Sequence, residues 1–100
     1  MYFLWDERNE AHIEKHRITP DEAEHVVRRA KRPYPKQSSA VKWLVKGRTV
    51  AGRLIQVIYV EREDDEIDVE RLSFEQRLAF EQNEMAVYVI HARPLRRGEG

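Results

Sequence analysis

Three observations predict an α+β fold with helices layered on one face of a small antiparallel sheet. Two adjacent N-terminal stretches carry helix-start signals, Asp6 ahead of ERNEAHIEKH and Thr19-Pro20-Asp21-Glu22 ahead of an apolar run. Three later stretches, AVKWLVKGR, RLIQVIYV and AVYVIHA, are rich in β-branched and aromatic residues, as strands are. Between the second and third lies a segment with its own capping signal, Ser73-Phe74-Glu75-Gln76. The expected order is a short N-terminal strand, two helices, and a three-stranded antiparallel sheet with a helical insertion before its last strand. At 100 residues one core accounts for the whole chain, so residues 1–100 are expected to be a single domain.

Tyr2 to Trp5 is short, apolar and aromatic and suits an edge strand or a packed N-terminal arm. Asp6 can accept from the free amides of the turn that follows, which starts a helix over residues 7–16. Ile13 is its one strong apolar anchor. Thr19 caps the second helix, with Pro20 in the first turn and Glu22 completing a capping box; it should run to Ala30 and bury Ala23, Val26 and Val27. Pro33 and Pro35 then make residues 31–39 a loop. Ala40 to Arg48 is the first strand of the sheet, with Gly47 inviting a bulge. Residues 49–52 turn the chain into the strand Arg53 to Val60, and the two form an antiparallel hairpin. A helix is expected over residues 74–82 and a last strand over residues 86–92, ended by Arg93-Pro94. Strict alternation in that strand puts Val87, Val89, His91 and Arg93 on one face and Tyr88, Ile90 and Ala92 on the other. Trp5 and Trp43 are expected in the core.

Lys and Arg balance Asp and Glu at 18 each, but the charges are segregated. Residues 61–84 hold ten acids and three bases, a net charge of −7, which leaves +7 for the rest. A basic body with an acidic insertion can meet phosphate on one face, although an acidic stretch is also simply well solvated. The absence of cysteine excludes disulfides and thiolate chemistry and suits a reducing cytoplasm. No leader and no apolar run of membrane-spanning length is expected.

His16 closes the first helix next to Lys15. It is a candidate acid or base, and equally a cation placed against the negative end of the helix dipole. A His12/His16 pair at i, i+4 could touch a metal but offers no third ligand in sequence; His12 and His25 otherwise read as surface residues. His91 on the last strand reads as a packing or hydrogen-bonding residue or as a substrate contact. Arg48, Arg53 and Arg93 are forked donors suited to phosphate or to partners in the acidic segment. No metal site and no cofactor is expected.

In its order and spacing, WDERNEAHIEKHRITPDEAEHVV, followed by Gly47-Arg48-Thr49, Gly52-Arg53-Leu54 and finally VYVIHAR, resembles the BrnT-type toxin family. That resemblance implies a RelE-like fold and a metal-independent endoribonuclease of a bacterial toxin–antitoxin pair. It also implies a cytoplasmic protein with RNA as substrate, a small antitoxin as partner, and a homo- or hetero-oligomer as its assembly. Carried over to this chain, it points to His16, Arg53 and Arg93 as catalytic residues, with Lys15, Arg48 and His91 binding substrate. Two departures stand out. Arg17 occupies a position where many members have glycine, which should alter the turn, and the acidic insertion is longer than the usual connection. The reading from a different class is a non-catalytic module on the same fold, binding a protein or nucleic acid without cleaving it.

Overall fold

The computed structural model describes residues 1–62, 70, 72–82 and 85–96. The acidic residues at 63–66 and 68, and residues 97–100, lie outside the described residues. The elements are β1 (Tyr2–Leu4), α1 (Glu7–Glu14), α2 (Pro20–Arg28), β2 (Lys36–Gln37), β3 (Lys42–Arg48), β4 (Leu54–Arg62), α3 (Phe74–Glu81) and β5 (Ala86–Pro94). The class is α+β. The sheet has five strands in the order β1-β5-β4-β3-β2, where the sequence suggested three.

The two extra strands are the short ones. Tyr2–Leu4 runs parallel to β5, pairing Tyr2 with Ala86 and Leu4 with Tyr88. A three-residue strand has no periodicity of its own, and its partner is the last strand of the chain. Lys36–Gln37, expected as loop, pairs antiparallel with Leu44 and Trp43 of β3. The hairpin of β3 and β4 forms as expected, closed by a turn in which the Gly52 amide donates to the Thr49 carbonyl at 2.9 Å. Gly52 has φ +86°, a left-handed conformation that glycine adopts without penalty.

Gly47 does not carry a bulge; it pairs regularly with Ile55. A Cβ at that position would sit 3.2 Å from Val26 Cγ1, so the missing side chain lets α2 lie close on β3. The bulge is in β5 instead. Ile58 pairs with His91 and Tyr59 with Val89, which leaves Ile90 as the extra residue. The faces therefore exchange past Ile90. Val87, Val89 and Ala92 are fully buried in the core, while His91 and Arg93 point to the other face with Ile58 and Gln56. Strict alternation placed His91 with Val89 and Ala92 with Tyr88, and one inserted residue reverses both.

The core is built where the apolar pattern put it. Ala23, Val26 and Val27 of α2 pack over Val45, Ile55, Val57 and Tyr59, and Phe3 and Ile13 close the side next to β5. Trp5 and Trp43 are half-buried against this core. Both helix starts are capping boxes. Asp6 accepts from the Asn9 amide at 2.9 Å and Asn9 returns a carbonyl to the Asp6 amide at 2.8 Å. Thr19 and Glu22 do the same for α2. Asn9, at 2 % exposure, also donates to the Leu4 carbonyl at 2.9 Å, so a buried polar side chain ties the helix start to the strand before it. In α3 the Ser73/Gln76 box forms as expected, and Gln76 Nε2 donates to the Phe3 carbonyl at 3.0 Å, covering the free edge of β1. No helix among the described residues is long and apolar enough to cross a membrane.

Candidate functional site

The bulge and the end of α1 together create a histidine cluster. The helix ends two residues earlier than expected, and the chain then closes with the Arg17 amide on the Glu14 carbonyl and the Ile18 amide on the Ile13 carbonyl. This is a Schellman closure, with Ile13 and Ile18 making its apolar contact inside the core. Arg17 takes φ +59°. Arginine here holds, at the cost of strain, a left-handed conformation that glycine adopts most easily.

His12 on α1 and His16 in the turn that closes it lie four residues apart and face β5. The bulge turns His91 toward them. The ring of His91 lies 5.4 Å, centroid to centroid, from both His12 and His16, and His12 lies 6.3 Å from His16, all edge to face. His12 Nε2 and His91 Nδ1 are 3.2 Å apart, a hydrogen-bond distance that requires one of the two nitrogens to carry the proton. Burial is the main influence that pushes the His91 pKa below its usual value, and the neighbouring His12, His16 and Arg93 add to it by charge repulsion. Among the described residues, no group of three or more His, Cys, Asp or Glu side chains is arranged to hold a metal ion. The cluster is suited to passing protons.

The sequence candidates divide into two sets. His16, His91 and Arg93 come together at the α1–β5 junction, with Arg93 two residues beyond His91 on the same sheet face. Lys15 is exposed at the adjoining end of α1. Arg53 instead reaches the turn after His16. Its Nη2 donates to the Arg17 carbonyl at 2.6 Å and lies 3.4 Å from Glu22 Oε1, and its Nε is buried with no partner among the described residues. Its carboxylate partner thus belongs to α2. Arg48 donates to the Gly52 carbonyl at 2.9 Å and belongs to the hairpin turn. Both arginines brace the framework, Arg53 at the turn that follows His16 and Arg48 at the β3–β4 hairpin.

The sequence reading passed over His12, because its partner lies 79 residues away. Its i, i+4 spacing to His16 was the one available signal, and the missing third member was His91. Beside the cluster, Tyr88 donates to both carboxylate oxygens of Asp6, at 3.1 and 2.9 Å, and Arg62 lies 4.0 Å from the centroid of its ring. Burial and the Asp6 carboxylate both raise the Tyr88 pKa, keeping it a donor. Burial acts to raise the pKa of Asp6, but it is outweighed by the Asn9 amide, the Tyr88 hydroxyl and Arg8, and the net shift is downward. This pair ties the start of α1 to β5 and so sets how the histidines meet. No protein-family model, no curated protein and no solved structure matches this chain.

Proposed function

We propose that the protein is a metal-independent endoribonuclease toxin with a RelE-like fold, acting in the cytoplasm and neutralised by a small antitoxin protein. The observation that carries this reading is the cluster of His12, His16 and His91 beside Arg93. Cleavage of RNA by its own 2′-hydroxyl needs a base to take the 2′-proton, a cation to stabilise the dianionic phosphorane, and an acid to protonate the departing 5′-oxygen. The depressed pKa of His91 keeps it neutral and able to accept a proton. In the tautomer whose Nδ1–H donates to His12, the Nε2 of His91 is the free base. His16 then supplies the acid and Arg93 the forked cation. The 2′-oxygen bonds to phosphorus, the P–O5′ bond breaks, and the products are a 2′,3′-cyclic phosphate and a 5′-hydroxyl. Arg53 acts through the turn after His16 and is a positioning residue.

The test is incubation of purified protein with single-stranded RNA in excess chelator, with the products analysed for 2′,3′-cyclic phosphate ends. His16→Ala and His91→Gln should each lower the rate by roughly 100-fold or more, the usual scale for a lost acid or base. Both variants should keep the wild-type melting profile. The non-catalytic reading draws on one observation, that Arg48 and Arg53 spend their donors on internal carbonyls. Binding of RNA without any cleavage product, and unchanged binding in His16→Ala, would decide for it.

A further inference from the structure

A second concave site lies between the C-terminal end of α2 and the Lys46–Arg48 end of β3. It has a volume of about 400 Å³, and its walls carry Arg29, Lys31, Arg32, Lys46 and Arg48 but no carboxylate. That size falls in the usual range for a small-ligand pocket. Arg29, Lys31 and Arg32 make no ion pair among the described residues. Tyr34 completes the wall, half-buried against the core with Lys36 Nζ 5.6 Å from its ring centroid. Like charges held around one hollow repel one another, so this wall favours an anionic occupant. An aromatic face beside phosphate-binding cations is how single-stranded nucleic acid is held without reading its sequence.

The sheet register links this hollow to the histidines. Lys46 pairs across the sheet with Gln56, and Gln56 with Arg93, so the three side chains form one polar row on the face that α2 does not cover. The row crosses two inter-strand steps, about 10 Å. It ends two residues from His91.

We infer that the α2–β3 hollow is a remote RNA subsite. It holds the phosphates of a nucleotide outside the scissile step, stacks that base on Tyr34, and leads the strand along Lys46, Gln56 and Arg93 to the histidine cluster. The inference rests on the ribonuclease reading for its substrate, and its test does not depend on cleavage. The probe is a fluorescently labelled, fully 2′-O-methylated single-stranded RNA dodecamer, which lacks the attacking hydroxyl and stays intact on the wild-type protein. Arg29→Ala/Arg32→Ala should weaken its binding by at least tenfold. The same variant should flatten the dependence of log affinity on log salt by about 0.7 per lost phosphate contact, or roughly 1.4 in all. Tyr34→Leu, which keeps an apolar side chain against the core, should weaken binding by roughly tenfold with the salt slope unchanged. Arg28→Ala/Arg77→Ala, which removes equal charge away from the hollow, should stay within about twofold of wild type. Unchanged affinity and slope in the Arg29/Arg32 variant, or an equal loss in the Arg28/Arg77 control, would overturn the subsite. Failure of wild-type protein to cut unmodified RNA would instead overturn the ribonuclease reading and leave the binding result standing.

Discussion

Arg17 shows how much a single position can cost without changing the fold. A non-glycine residue in the left-handed region is disfavoured by about 1–2 kcal/mol, and the Schellman closure requires that conformation here. Arg17→Gly should therefore stabilise the protein by about 0.5–1 kcal/mol once the added freedom of the unfolded chain is subtracted. For a domain of this size that is a rise of a few degrees in Tm, and Arg17→Val should lower it. His91 makes a prediction about pH. Its folded pKa lies below its unfolded value of about 6.5, so the unfolded chain takes up the proton first as pH falls. The stability tied to neutral His91 is fully present above about pH 6.5 and is lost as pH drops from there toward the depressed folded value. Urea midpoints measured at pH 7.5 and pH 5.5 should show this decline, and His91→Gln should make it shallower. Asp6, also shifted downward, acts in the same direction in a separate window starting near its unfolded value of 3.8.

At the level of elements, the close contact of α2 with β3 rests on Gly47 and Val26. Gly47→Ala pushes a methyl to 3.2 Å from Val26 Cγ1 and should cost about 1 kcal/mol or more. Val26→Ala opens a cavity and should also destabilise. Each substitution relieves the other, so the double variant should lose less than the sum of the two, a coupling that denaturant unfolding of all four proteins measures. The same elements show what could be read in the sequence. Capping boxes are local, so Thr19/Glu22 and Ser73/Gln76 were legible from three-residue spacing, and the buried stripe Ala23, Val26, Val27 from helical period. The Asn9 half of the first box was not, because asparagine at that position is also an ordinary surface residue. The bulge at Ile90 was invisible for a different reason. Reading a strand assumes a period of two, and an inserted residue leaves no mark in composition. It is this residue that brings His91 to the α1 side, so the candidate site was legible as residue types and illegible as a place.

Across the whole molecule, the pairing of β1 with β5 joins residues more than 80 apart in sequence. Phe3, at 4 % exposure, carries core packing into a strand of three residues. Phe3→Ala should cost about 3 kcal/mol or more, a large share of the stability of a domain this small, and thermal unfolding would measure it. The apolar, aromatic run at Tyr2 was legible as an edge strand, but its parallel partner was not, and Lys36–Gln37 carries no strand signal at all, so the places of β1 and β2 in the sheet follow only from tertiary contact. The same pairing bears on how the protein comes into being. A chain emerging from the ribosome presents His12 and His16 at least 70 residues before the strand that holds His91 and pairs with Tyr2–Leu4. Until then β1 lacks its partner strand and His91 is absent, so the three imidazoles cannot meet. Any activity that depends on them stays switched off during translation of its own message.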